Sequence, residues 1–148
     1  MKLVLCVLLL LISSSGHQNQ TSTTIETDKV KGIICADAQQ WEFRFKGKKF
    51  WIPTKEQVLS AEAEIERFLK DKPPVQSPNL WQKLPRYKRQ YVGYIINGQK
   101  KIFCNFYCTE EALSCDPVVY SDGGDCFFRI KYDVKGQKVE EISINGVA

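Results

Sequence analysis

Trp41, Phe43 and Phe45 alternate with Glu42, Arg44 and Lys46, Gly47 interrupts the run, and Phe50 and Ile52 resume it. A period of two predicts two short strands around a turn, closed by Pro53. Thr54 followed by Gln57 has the spacing of a capping box, and Val58, Ala61, Ile65, Phe68 and Leu69 recur every three or four residues. That spacing predicts one amphipathic helix over residues 55–70, stopped by Asp71-Lys72-Pro73-Pro74. Residues 75–85, with Pro78 and Pro85, read as a loop whose one large apolar residue is Trp81. Burial of a ring that size at the core edge competes there with a binding role.

The clearest local signal follows. Residues 87–96 and 99–108 are rich in β-branched and aromatic side chains and flank Asn97-Gly98, a pair that accepts positive φ at both central positions of a type I′ turn. Counting outward from Ile96 opposite Gln99 pairs Val92 with Phe103 and Tyr91 with Cys104. It also sets Gly93 against Ile102, where a missing side chain marks close packing or a bulge. Residues 117–121 read as a short strand, Asp122-Gly123-Gly124-Asp125 as a turn, 126–134 as a long aromatic strand and 139–144 as the last. The expected fold class is α+β, with one amphipathic helix packed on a curved antiparallel sheet of about four strands and a short N-terminal hairpin.

Composition adds a compartment. Met1-Lys2, an apolar run from Leu3 to Ile12 and the small residues Ser13 to Gly16 have the layout of a secretory signal peptide over residues 1–16. Ten apolar residues at 1.5 Å each reach about 15 Å, roughly half a hydrocarbon core, so no membrane span is expected and the chain reads as secreted or periplasmic. Residues 17–40, polar and rich in Gln, Ser and Thr, read as a flexible leader, with 41–148 a single domain. Asn19 in Asn19-Gln20-Thr21 is a glycosylation acceptor in a eukaryotic host. The net charge of +4, one less once Lys2 is removed, is too mild to name an acidic partner. Basic residues at Lys46, Lys48, Lys49, Lys83, Arg86, Lys88 and Arg89 read as solvated strand edges, and no nucleic-acid partner is expected.

Six cysteines carry the candidate chemistry. With Cys104 and Cys108 on one strand, four residues at about 3.3 Å separate them by about 13 Å, too far for a mutual disulfide or a shared zinc. The single histidine, His17, sits in the leader, which leaves hydrolytic triads without their usual base. The acids Glu110, Glu111, Asp122 and Asp125 read as solvated turn residues, and Asp122 to Asp125 lacks the spaced ligands of a calcium loop. Neither metal nor cofactor is expected. Staples remain: Cys108 ends one strand and Cys126 begins its antiparallel neighbour, so these two are expected to bond, with Cys35 bonded to Cys115 and Cys104 buried as a small apolar residue. Five cysteines beyond the signal peptide cannot all pair, which leaves one free or bridging a disulfide-linked dimer.

The segments Tyr87-Lys-Arg-Gln-Tyr-Val-Gly-Tyr-Ile-Ile-Asn-Gly98, Asp122-Gly-Gly-Asp-Cys-Phe-Phe-Arg-Ile-Lys-Tyr132 and Ser143-Ile-Asn-Gly146 together resemble a family of small exported proteins of unknown function, a likeness covering about the last sixty residues. The helix-then-strands order is similar to the cystatin-like architecture of cysteine-protease inhibitors and many unrelated binding domains. Inhibitory cystatins carry Gln-x-Val-x-Gly and a later Pro-Trp pair. Here Gln90-Tyr91-Val92-Gly93 is one residue short, and no Pro-Trp pair occurs. The first expectation is therefore a disulfide-containing, non-enzymatic binding domain for a protein or small ligand, with Tyr91, Asn97, Gly98 and Trp81 as candidate contacts. A cystatin-like protease inhibitor is the alternative, and a small carboxylate-dependent enzyme the third reading.

Overall fold

The computed structural model describes residues 21–147. The expected signal peptide at 1–16, His17 and Asn19 lie outside the described residues. The chain runs β1 (Thr23–Glu26), β2 (Lys31–Ile34), β3 (Lys49–Trp51), α1 (Lys55–Asp71), α2 (Leu80–Lys83), β4 (Lys88–Ile96), β5 (Gln99–Tyr107), β6 (Phe127–Asp133) and β7 (Lys138–Ile144). All seven strands join one sheet in the order β1-β2-β4-β5-β6-β7, with β3 also bonded to β4.

This corrects the expected fold class: the sheet has seven strands rather than about four, and it is mixed rather than antiparallel, because β2 runs parallel to β4. A short second helix, α2, lies inside the segment read as loop. The correction comes chiefly from residues 17–40, whose described part is not a flexible leader. β1 and β2 form a hairpin there, pairing Thr23 with Ile34 and Glu26 with Lys31. Polarity misled because an edge strand needs few inward side chains; Ile25 is fully buried, and β-branched Thr23 and Thr24 suit extended backbone without burying it. Thr27 shapes the turn, its hydroxyl accepting the backbone N–H of Val30 at 2.9 Å.

Trp41 to Phe45 is not a strand either. It is a 3₁₀ turn followed by further turns, with Trp41 N–H donating to Ala38 at 2.9 Å and Phe45 N–H to Trp41 at 3.2 Å. Trp41 and Phe45, four apart, are buried while Phe43 is 61% exposed. Alternation over five residues satisfies a helical spacing as well as an extended one, and here the helical spacing wins. Consequently β3 pairs not with this segment but with β4, through Lys49 opposite Ile95 and Trp51 opposite Gly93. Residues 117–121 also form no strand, since β5 is already paired on both sides, by β4 and β6.

Elsewhere pattern and structure coincide. The Thr54 hydroxyl accepts Gln57 N–H while the Gln57 side chain accepts Thr54 N–H at 2.9 Å, a complete capping box opening α1. The long hairpin pairs Ile96 with Gln99, Val92 with Phe103 and Tyr91 with Cys104 around Asn97 (φ 51°) and Gly98 (φ 73°). Both faces of this ribbon are covered. On one side Val58, Ala61, Ile65 and Leu69 of α1 pack on Tyr91, Ile102, Cys104, Phe106, Phe128 and Ile130. On the other, Trp41, Phe45, Cys35 and Leu113 cover Val92, Tyr94 and Phe103. Two layers of loop and helix therefore enclose a sheet.

Gly93 sits where β3 crosses closest to β4. A Cβ there would strike the Trp51 carbonyl oxygen and lie 2.9 Å from both Pro53 Cδ and Trp51 Cε2. Gly93→Ala is expected to destabilise the fold by about 2 kcal/mol, since backbone must move to admit it. Gly146→Ala, where a Cβ meets nothing within 4 Å, is expected to change stability by no more than about 0.5 kcal/mol. Urea midpoints of the two variants provide the comparison.

Candidate binding site

Position 62 falls on the apolar stripe of α1, four residues after Val58 and three before Ile65, yet it is a glutamate. Burial takes it 6% exposed, directly over β4, where Arg89 is 1% exposed. Arg89 Nε donates to Glu62 Oε1 and Nη2 to Oε2, each at 3.3 Å, while the Tyr91 hydroxyl donates to Oε1 at 2.6 Å. The remaining guanidinium donors reach the carbonyls of Tyr87 at 2.5 Å and Lys29 at 3.3 Å, and its carbon lies 5.3 Å from the Phe106 ring centre. One arginine thus ties together α1, the β1–β2 turn and the sheet. Such a pair is costly to desolvate and tolerable only when its hydrogen-bonding capacity is filled, as it is here.

Above this pair opens a cavity of about 430 Å³ between α1, the β1–β2 turn and α2. Val30, Leu59, Ala63, Trp81, Leu84 and Pro85 give it apolar walls, and Glu62 and Arg89 are among the polar residues that line the rest, with Thr27, Asp28, Lys29, Glu66 and Gln82. Lys29 Nζ stands 3.8 Å from Glu66 Oε2 at its edge, and Lys70, bonded to Glu66 at 2.6 Å, lies 4.9 Å over the Trp81 ring. Burial, then the Glu62 charge, pushes the Tyr91 phenol well above its ordinary pKa, so it remains a donor. The same two causes raise the Cys104 thiol.

Trp81 and Tyr91, two of the expected contacts, therefore belong to one neighbourhood: Trp81 lines the cavity and Tyr91 holds the glutamate that floors it. Asn97 and Gly98 form the exposed hairpin turn and line no cavity described here. Periodicity alone does not single out Glu62 and Arg89. Arg89 is not on a solvated edge, as its basic neighbours suggest, but buried; the signal that points to it is a charged residue, Glu62, on the apolar face of a helix.

The opposite layer is held by polar groups of equal specificity. Gln90 donates to the carbonyls of Ser114 at 2.7 Å and Asp116 at 2.6 Å, and its oxygen accepts Asn105 Nδ2 at 2.9 Å and Val118 N–H at 3.2 Å. Cys35 is bonded to Cys115 and Cys108 to Cys126, with Cα separations of 5.6 and 5.1 Å. Cys104 is unpaired and fully buried, and this corrects the disulfide-linked dimer: the sulfur lies inside the helix-side core, out of reach of a second chain. Of the loop acids, Asp125 takes the Ser77 hydroxyl and Lys83 Nζ, the latter at 2.7 Å, and Glu111 takes the hydroxyls of Thr109 and Tyr120.

Compared with known proteins, the chain matches no family model, no curated protein and no solved structure. Among the described residues no helix is long and apolar enough to cross a membrane, and no group of three or more His, Cys, Asp or Glu side chains is arranged to hold a metal ion.

Glu62→Ala strands the Arg89 charge and is expected to cost about 3–5 kcal/mol, whereas the double change Glu62→Met with Arg89→Met should recover most of it. Urea unfolding of the single and double variants decides this. The Lys83 ammonium, then the Ser77 hydroxyl, holds the Asp125 carboxyl below its usual range. A depressed folded pKa contributes stability above the unfolded value, about 3.9, that is lost as pH falls through the folded one. Asp125→Asn should therefore be less stable than the parent at pH 7, with the gap closing as the pH falls below about 3.9 in the same assay.

Proposed function

We propose that this chain is an exported, disulfide-braced, non-enzymatic binding domain that takes up a small, largely apolar ligand in the cleft between α1, the β1–β2 turn and α2. The observation that carries the reading is the cavity itself: about 430 Å³, walled by Leu59, Trp81, Leu84 and Pro85 and floored by a single buried polar cluster. Size, apolar lining and a few convergent polar groups are what small-molecule sites share. Binding is favoured over acid–base chemistry because both oxygens of Glu62 already accept hydrogen bonds from Arg89 and Tyr91. Export is supported by two disulfides, which persist in oxidising compartments.

The Lys29–Glu66 pair gives the cleft a soft edge. An exposed pair at 3.8 Å contributes little and is weakened by salt, so entry needs no rearrangement of the sheet. The neutral fluorophore N-phenyl-1-naphthylamine tests the cleft directly. Saturable 1:1 fluorescence enhancement is expected with the intact protein, and Leu59→Arg, which projects a charge into the apolar walls, should weaken it by about ten-fold or more. Absence of saturable binding, or equal affinity in Leu59→Arg and Trp81→Ala, rejects the cleft as the ligand site.

A further inference from the structure

On the sheet face opposite α1, two arginines from distant parts of the chain line one pocket. Arg44, exposed in the turns that follow Trp41, lays its guanidinium carbon 5.1 Å from the Phe103 ring centre and 5.9 Å from that of Phe43. Arg129, on β6, lines the same pocket of about 220 Å³, with Lys131, Glu141, Ser143, Val119 and Tyr120 completing it. Its Nη2 donates to Ser143 Oγ at 3.2 Å. Among the described residues neither arginine forms a salt bridge. The pocket's single carboxylate, Glu141, is engaged by Lys131 at 2.7 Å. Burial, and after it the charge of Arg129, lowers the pKa of Arg44.

We infer that Arg44 and Arg129 form a second binding site, one that takes the aryl ester of a tetrahedral oxyanion. The planar guanidinium fork matches the oxygens of phosphate or sulfate and stays charged at any physiological pH. Three cations against one carboxylate leave the pocket positive, so an anion relieves a repulsion that the chain itself leaves unrelieved. The aromatic half of the ligand is indicated by the walls: Val119 and Tyr120 line the pocket yet are 49% and 42% exposed, and Tyr120 is stacked on Phe127 with ring centres 4.2 Å apart. An apolar surface held rigid beside two unpaired cations fits a ring that carries one anionic group. This site lies on the other side of the sheet from the cleft and does not depend on it.

Isothermal titration of the intact protein with phenyl phosphate, phenyl sulfate and phenol tests the assignment. Saturable 1:1 binding of at least one ester, and none of phenol, is expected. Arg44→Gln and Arg129→Gln should each weaken it by about ten-fold. Glu141→Gln, an exposed change that removes the only acid and frees Lys131, should tighten it by about three-fold. A phosphate monoester loses its second proton at about pH 6, so phenyl phosphate binding that strengthens from pH 5.5 to pH 8 and exceeds that of phenyl sulfate identifies a phosphate ligand. Binding of phenyl sulfate as tight as that of phenyl phosphate, with no such pH dependence, identifies a sulfate ester. Loss of saturation for both esters, affinity unchanged in the two arginine variants, or weaker binding in Glu141→Gln overturns the site.

Discussion

Successive side chains of an extended strand point to opposite sides, and in the ribbon formed by β4 and β5 both sides are dry. Nearly every residue of these strands must then find apolar cover or a complete set of hydrogen bonds, whichever way it faces. Tyr91, Ile102, Cys104 and Phe106 meet the first condition beneath α1, as Val92, Tyr94 and Phe103 do beneath the loops. The outer strands, the helix and the long connections are arranged around this demand. β2 and β3 share one side of β4 end to end, and β6 with β7 extends the other.

The adjacent residues Arg89 and Gln90 show how the demand is met by polar groups. One faces α1, the other the loops, and each spends its hydrogen-bonding capacity on the layer above it. Arg89 ties Glu62 and the β1–β2 turn to the sheet. Gln90, with Asn105, supplies partners to Ser114, Asp116 and Val118, a stretch with no strand neighbour of its own. A loop laid over a sheet has backbone groups that must be satisfied, and two side-chain amides do so here. The two candidate sites follow from the same division, one in the helical layer and one under the loops.

Much of this was legible in the residues. The Asn97-Gly98 turn set the register of the ribbon, and the Thr54–Gln57 box with its three- and four-residue spacing marked α1 to within a residue or so. What stayed hidden has physical causes. Thr23 to Glu26 look polar because an edge strand buries little, and Trp41 to Phe45 fits two periodicities at once. The parallel pairing of β2 with β4 joins residues more than fifty positions apart and leaves no local trace. The site was half legible: Trp81 and Tyr91 stood out as large side chains, but the Glu62–Arg89 pair between them requires knowing that an acid on a helix and a base on a strand meet.

Both disulfides fasten the same layer. Cys108–Cys126 closes the base of the long connection after β5, and Cys35–Cys115 pins its middle to the end of β2. Among the described residues the helical layer has no covalent tie and is held by packing and by Arg89. A change in the redox state of the surroundings therefore acts on one half of the molecule: reducing conditions would loosen the roof over Phe103 and leave the helical side to its own contacts, so that the two faces of a single sheet answer to different environments.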